Sequence, residues 1–165
     1  MSSSFAYLLR TSSPIGRLEL TSDGTAVTSL SIEREGHLPL DDHPERTTAV
    51  LDDAAAQLGE YFAGTRRVFD VPIRLQGTPF RQAVWERLAE LEFGTFVSYG
   101  ELGASLGHTG YGRAIGGAVG ANPIPIIVGC HRVLSSNGRV TGYSGGDGIP
   151  TKLWLLEHEG ILLAA

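Results

Sequence analysis

The stretch SYGELGASLGHTGYGRAIGGAVGANP, residues 98–123, holds the pattern that decides the fold of the second half of this chain. Residues 99–106 can form a short helix, and the glycines of residues 107–110 supply a turn. Residues 112–121 can form a second helix, which the Asn-Pro pair that follows would stop. Two short helices around a tight turn predict a helix-turn-helix unit.

The second of these helices is made almost entirely of glycine and alanine, and Arg113 at its start is its one charged residue. Each glycine inside a helix costs up to about 1 kcal/mol relative to alanine, so a smooth helix of this kind suggests the close approach of something large. A helix N-terminus that carries an arginine also suits a phosphate backbone. The alternative explanation is that another helix of the same protein packs closely against it.

The segments that flank this unit predict further elements around a lone cysteine. Thr78 can cap a helix that has Pro79 at its first position and an apolar stripe as far as Leu91. Downstream, the β-branched run at 126–128 predicts a buried strand that ends just before Cys130. The last predictions are a hairpin over 134–140, which would form a wing, and a helix over 150–158.

The first half of the chain predicts a small sheet followed by a helix. Short apolar runs separated by turn residues predict antiparallel strands, and a later helical spacing of apolar residues is stopped by a glycine. The predicted strands span 5–11, 17–21, 26–32 and 68–75, and the predicted helix spans 47–62. A linker then divides an N-terminal domain of residues 1–76 from a second domain of residues 77–165.

Composition and charge narrow the classes of protein that this chain can be. With 165 residues, 42% apolar and 19% charged, it has the make-up of a globular protein. No apolar run approaches the roughly 20 residues of a membrane helix, and residues 1–4 lack the features of a leader, which predicts a cytoplasmic protein without membrane contact. The net charge of −5 argues against tight, non-specific binding of nucleic acid. Residues 102–146, however, contain three arginines and no acidic residue, so this window either faces an anion or is simply a neutral, glycine-rich stretch.

Cys130 is the one cysteine, which excludes an intrachain disulfide and a cluster of cysteine metal ligands. Its thiol is either a small buried apolar group or a nucleophile, and a nucleophile needs a base or a positive charge nearby. His131 and Arg132 supply both. Neighbouring side chains on an extended segment point to opposite sides, so a water would relay the proton to His131. The other imidazole nitrogen would then donate to a carboxylate, either Glu157 or Glu159, between which spacing does not choose.

Taken together, these motifs resemble the O6-alkylguanine-DNA alkyltransferases, the methylated-DNA-protein-cysteine methyltransferases. The resemblance covers nearly all of the second half in order and spacing, and the first half more loosely. It lies in residues 98–102, 112–118, 122–123, 130–133, 142–146 and 152–160. It implies an α+β fold, with a ribonuclease-H-like N-terminal domain and a C-terminal winged helix-turn-helix domain that carries the cysteine.

The resemblance also implies an activity, which is direct-reversal DNA repair. Cys130 would take a methyl or alkyl group from O6 of guanine in double-stranded DNA, once and irreversibly, after the base is flipped. O4 of thymine stays open as a second substrate. The implied protein is a monomer that needs no cofactor and no metal. The rival classes are a cysteine-histidine hydrolase, which would turn over, and a winged-helix DNA binder without catalysis, which would not need the cysteine.

Roles for individual residues follow from the same resemblance. His131 with a water would be the base, Glu159 would orient the imidazole, and Tyr99 would turn the phosphate and protonate guanine N3. Arg113 resembles the finger that fills the stack after base flipping. The residues expected to face DNA are Arg113, Tyr99, Gly116, Gly117, Ala118 and Gly120, and those expected in the substrate pocket are Tyr143, Ser144, Val133 and Asn122.

Two positions depart from the family pattern. Gly129 stands where the family usually has proline, and glycine frees the φ angle that proline would fix, so we expect the thiol to be held less rigidly. Tyr111-Gly112 replaces residues that are usually small and alanine-like.

Overall fold

A three-stranded antiparallel sheet forms from the first turn-separated apolar runs, as the sequence predicts. The computed structural model describes residues 5–108 and 110–161, so the leader-free start expected at residues 1–4 lies outside the described residues. The strands are β1 (Tyr7–Thr11), β2 (Leu18–Ser22) and β3 (Val27–Ile32), in the order β1-β2-β3. The central strand is buried along its whole length, because β1 and β3 pair on both sides of it and α1 (Ala49–Phe62) packs on the sheet.

The second half is helical, and its elements agree with the predicted helices to within about two residues. The helices are α2 (Pro79–Ala89), α3 (Tyr99–Ser105), α4 (Gly112–Gly120) and α5 (Ile149–His158), with a 3-10 turn at Cys130–Arg132. Two short strands, β4 (Val97–Ser98) and β5 (Val133–Leu134), pair in parallel and bring the start of α3 beside the cysteine segment. The predicted mixed α+β class is therefore confirmed.

Three local features stabilise the helix-turn-helix pair α3–α4: a capping box at the start of α3, a glycine in the turn, and close packing of the two helices at Gly103. Ser98 and Glu101 form a reciprocal capping box at the start of α3, which satisfies two amide groups that the helix leaves free. After α3, Gly107 has φ 75°, a conformation that favours glycine. A Cβ on Gly103 would lie 3.3 Å from Ile115, so glycine at this position lets the two helices pack closely.

Three predicted pieces of β structure are wrong. Residues 68–75 make a single bridge, Val27 to Ile73, because Pro72 has no amide hydrogen to continue a ladder. The run before Cys130 is a tight turn, with Ile126 at φ 75° and the Val128 amide donating to the Ile124 carbonyl. The hairpin over 134–140 is a turn closed by hydrogen bonds across residues 135–139, since the strand residues at its start pair with β4 instead.

The core is continuous across the two halves. Buried apolar side chains of the sheet and α1 join those of α2, α4 and the cysteine segment in one cluster. The Leu30 amide of β3 donates to the Pro123 carbonyl at 2.9 Å, which ties the sheet to the end of α4. The Trp85 indole of α2 donates to the Ala118 carbonyl of α4 at 2.7 Å. The boundary between residues 76 and 77 stays a prediction.

None of the helices in the described ranges combines the length and the apolar character that crossing a membrane requires.

Candidate active site

Cys130 lies at the start of the 3-10 turn, with 3% of its surface exposed. The chain turns tightly here, so the extended geometry expected for residues 130 and 131 is wrong. The thiol lines a cavity of about 200 Å³. The residues that line this cavity are Tyr99, Gly116, Val119, Gly120, Cys130, Gly142, Tyr143, Ser144 and Lys152. Helix α4, the start of α3 and the 142–144 segment therefore meet at the cysteine.

The surroundings of Cys130 keep its sulfur protonated at rest. Burial raises the pKa of the thiol, while the Asn122 and Tyr143 side chains and the positive charge of Lys152 act in the opposite direction without overcoming it. Among the described residues, no nitrogen or oxygen atom accepts from the Tyr143 hydroxyl, which lies beside the sulfur. A protonated thiol is a poor nucleophile, so reaction at this sulfur requires a base.

The imidazole of His131 has the arrangement of such a base. Its side chain is fully buried, and Nε2 lies 2.7 Å from Glu159 Oε2. Burial lowers the pKa of His131 even though the hydrogen bond to Glu159 opposes this effect, so the ring is neutral at rest. Nε2 then carries the hydrogen donated to the carboxylate. Nδ1 is left with a lone pair and has no hydrogen-bond partner in the described part of the chain.

The carboxylate beside His131 belongs to Glu159, which settles the alternative that spacing left open. Glu159 directly follows α5 as its C-terminal cap and is buried, whereas Glu157 is exposed. Burial would raise the pKa of Glu159, but hydrogen bonds from His131 and Arg132 outweigh it and hold the pKa well below its usual range. Arg132 donates to both carboxylate oxygens of Glu159, from Nε at 2.8 Å and from Nη2 at 2.9 Å. Its Nη1 donates to the Leu91 carbonyl at 2.7 Å.

Lys152 is a residue of this site that sequence reasoning missed. Its ammonium is buried and donates to the carbonyls of Val133 at 2.6 Å and Gly142 at 3.2 Å. It also lies 5.8 Å from the centre of the Tyr99 ring. Burial lowers the pKa of Lys152 to about 8. The available signal was that this is the one lysine in the sequence, placed within an apolar helix.

The residues expected in the substrate pocket divide into two groups. Tyr143 and Ser144 line the cavity, and the Ser144 hydroxyl donates to the Gly120 carbonyl at 2.8 Å. Val133 is fully buried behind the cavity and reaches the site through its carbonyl, which holds Lys152. Asn122 braces the cysteine segment, since its amide donates to the Val128 carbonyl at 2.9 Å.

The outer face of α4 carries glycines that pack against no other part of the described chain. Arg113 is exposed at the start of the helix, and Cβ atoms added at Gly116, Gly117 or Gly120 would meet no atom within 4 Å. Packing within the described chain therefore does not explain these glycines. Ala118, in contrast, is 2% exposed and faces the core, because it lies one turn from Ile115 on the buried side of the helix. The prediction that Ala118 faces DNA is corrected accordingly.

The two departures from the family pattern have different settings. Gly129 has φ −76°, close to the angle that proline imposes, so the backbone here already has that shape. A Cβ at this position would lie 2.9 Å from Arg132 Nη1, so glycine makes room for the arginine that holds Glu159. Tyr111 is 58% exposed at the start of α4, with its ring against His108 at 5.5 Å between centroids.

Comparison with known proteins matches the two halves of the chain to two domains of one protein family. Residues 79–161 match the family model described as 6-O-methylguanine DNA methyltransferase, DNA binding domain, and residues 7–75 match its ribonuclease-like domain. The latter agrees with the fold expected for the N-terminal half.

Individual relatives cover most of the chain. The methylated-DNA–protein-cysteine methyltransferase of Mycobacterium tuberculosis is 43% identical over 147 residues, which is 89% of this chain and 88% of that protein. The Haemophilus influenzae protein of the same name is 38% identical over 90% of this chain and 83% of its own length. Among solved structures, M. tuberculosis OGT in complex with DNA superimposes with a TM-score of 0.84 at 40% identity, covering 93% of this chain and 92% of that one. The chain belongs to the 6-O-methylguanine DNA methyltransferase family.

Proposed function

We propose that this protein repairs DNA by direct reversal, transferring a methyl or other alkyl group from O6 of guanine in double-stranded DNA to Cys130. The observation that carries the proposal is a buried thiol that lines a cavity behind a glycine-faced helix and is followed directly in sequence by a neutral imidazole. The Nδ1 atom of that imidazole has no hydrogen-bond partner in the described part of the chain. Membership of the family supports the same reaction. We infer a cytoplasmic monomer that needs no cofactor and no metal.

The proposed reaction is an in-line displacement at the alkyl carbon. A bond forms between that carbon and the Cys130 sulfur, and the bond from the carbon to guanine O6 breaks. The thiol proton passes through a water to His131, whose charge Glu159 stabilises, and Tyr99 supplies a proton to the leaving purine. The product is a thioether, which water does not cleave. Each molecule therefore acts once.

We infer that the substrate base enters the cavity by leaving the DNA stack. The sulfur is almost fully buried, so a stacked base cannot present O6 to it. The glycine face of α4 leaves room for a DNA backbone or groove, and Arg113 lies at its exposed end. In this proposal Arg113 fills the gap in the stack, while Tyr143 and Ser144 contact the extruded base.

The test is the intact mass of the protein after incubation with a duplex that contains O6-methylguanine. We expect one added methyl group per molecule, located on Cys130 by peptide mapping, and no further reaction when more substrate is supplied. Repeated demethylation without an adduct would instead indicate a hydrolase. Tight binding with neither an adduct nor demethylation would indicate a DNA binder without catalysis.

Arg113→Ala is expected to slow repair of duplex DNA much more than reaction with free O6-benzylguanine. Unstacking a base costs a few kcal/mol, so losing the residue that fills the gap should reduce the duplex rate roughly 10- to 100-fold. The free base needs no extrusion, and its rate should change by no more than about twofold. Single-turnover rates on the two substrates measure this difference.

The matched control is Arg139→Ala, which removes the same charge from another exposed position in the acid-free window. It should weaken duplex binding without changing the ratio of the two rates at saturating substrate. Equal losses on both substrates in Arg113→Ala would refute a role in base extrusion.

A further inference from the structure

One side chain of the N-terminal half reaches the hydrogen-bond network of the cysteine site. Tyr61, in the last turn of α1, is fully buried, and its hydroxyl donates to Glu159 Oε2 at 2.7 Å. The two residues are 98 positions apart in sequence. Burial and the neighbouring carboxylate raise the pKa of Tyr61, so its hydroxyl stays protonated and remains a donor.

Tyr61 is held rigidly in this position. Its ring packs at 5.2 to 6.0 Å between centroids against the rings of Phe62, Phe69 and Phe93, and at 5.0 Å against His158. Its backbone carbonyl lies 2.7 Å from His158 Nε2, which attaches the end of α1 to α5. A buried ring fixed on several sides and by its backbone cannot easily withdraw its hydroxyl from the carboxylate.

The carboxylate of Glu159 has no remaining freedom to turn. Oε2 lies within hydrogen-bond distance of Tyr61, His131 and Arg132, and Oε1 accepts from Arg132 and from the Gly94 amide at 3.1 Å. Five donors meet a group with about four lone-pair sites. Tyr61 and His131 both contact Oε2. The hydrogen bond from the Tyr61 hydroxyl therefore lowers the negative charge that this oxygen presents to the imidazole.

We propose that Tyr61 is a positioning residue for alkyl transfer, acting through Glu159 on His131. It fixes the oxygen to which His131 donates, and it takes up part of that oxygen's charge. The imidazole is thereby kept neutral, with its Nδ1 lone pair available. The inference rests on the proposed function, and it assigns the N-terminal half a part in the chemistry.

The charged groups around the imidazole determine the direction of the effect. The charged groups that act on His131 are Glu159, which caps the C-terminus of α5, Lys152 within α5, and the adjacent Arg132. Glu159 opposes the lowering of the His131 pKa, whereas Arg132 and Lys152 add to it. Removing the Tyr61 hydroxyl leaves more charge on Oε2 and therefore raises the pKa of His131. The base must be neutral to act, so the acidic limb of the rate profile moves to higher pH.

The experiment measures single-turnover methyl transfer from saturating duplex DNA, from pH 5 to 9, in the full chain. Tyr61→Phe keeps the ring and removes only the donor. We expect the acidic limb of its pH–rate profile to move to higher pH by about half a pH unit to one pH unit. Its transfer rate at pH 7 should fall about three- to tenfold. In a separate titration with DNA, the concentration for half-maximal rate should not change, because Tyr61 is fully buried and contributes nothing to the exposed surface.

Two further variants separate this role from packing. Phe69→Leu loosens the ring contact to Tyr61 and leaves the hydroxyl in place, so it should keep the wild-type profile. Placing 3-fluorotyrosine at position 61 makes the donor stronger, and it should move the acidic limb to lower pH. A wild-type pH–rate profile in both Tyr61→Phe and the 3-fluorotyrosine protein would overturn the inference. A shift of the acidic limb in Phe69→Leu as large as that in Tyr61→Phe would also overturn it. Failure of the proposed function is distinct, because the wild-type protein itself would then form no adduct.

Discussion

Cys130→Ser is expected to abolish alkyl transfer while leaving duplex binding nearly unchanged. A hydroxyl is close to a thiol in size but is a far weaker nucleophile, and its proton is much harder to remove. The side chain is buried in the wall of the cavity, so the substitution leaves the exposed residues of α4 unchanged. The neighbouring Asn122 and Tyr143 side chains can bond the new hydroxyl.

The measurement is intact mass after prolonged incubation with O6-methylguanine duplex, together with fluorescence anisotropy for binding. No mass increase should accumulate in the variant during a period in which the wild-type protein is fully alkylated. The one other sulfur in the sequence belongs to Met1. A methyl adduct on the serine variant would show that another residue receives the group, and the assignment of Cys130 would then be wrong.

Glu159→Gln is expected to slow transfer strongly and to destabilise the fold. The amide keeps the shape of the side chain but loses the charge that the Arg132 guanidinium pairs with, and both side chains are almost fully buried. Breaking a buried ion pair in this way costs about 3–5 kcal/mol. The imidazole also loses the negative charge that stabilises its protonated form, so transfer should slow about 10²- to 10⁴-fold, the range that a general base contributes.

Glu157→Gln is the matched control, since it removes the same charge two residues earlier on the exposed side of α5. It should change the free energy of unfolding by less than about 0.5 kcal/mol and leave the transfer rate unaltered. Urea unfolding and single-turnover kinetics of both variants give the comparison. A Glu159→Gln protein that transfers methyl at the wild-type rate would contradict the role of this carboxylate.

The pH dependence of the free energy of unfolding provides an independent measurement of the contribution of Glu159. The pKa of Glu159 is lowered in the folded protein, so its contribution is fully present above the pKa of the unfolded chain, about 4.3, and is lost as pH falls towards the folded value. Wild-type stability should therefore decline more steeply than that of Glu159→Gln below about pH 4. Other carboxylates titrate in both proteins, so the difference between the two curves isolates Glu159.

The sequence predicted those elements whose signal is local. Helices α1 to α5 are found where apolar spacing, Thr78 before Pro79, and terminal glycines predicted them, because helix hydrogen bonds join residues four apart. The strands β1 to β3 are also confirmed, since short turns bring them together. The strand predicted at 68–75 failed because Pro72 cannot continue the ladder beyond the single bridge to Val27. The strand predicted at 126–128 failed because a β-branched run indicates a buried segment but does not specify a strand partner, and the chain turns at Ile126.

At the site, the sequence by itself indicated the proposed reactive pair, Cys130 and His131, because the two are adjacent and the thiol is unique. The tertiary structure decided which carboxylate serves the imidazole, since only the packing of α5 turns Glu159 inward and Glu157 outward. It also decided that the Tyr61 hydroxyl donates to Glu159, 98 residues later in the sequence, and that Ala118 faces the core. Contacts of this kind depend on how helices pack and rotate against one another, which periodicity along one segment does not specify.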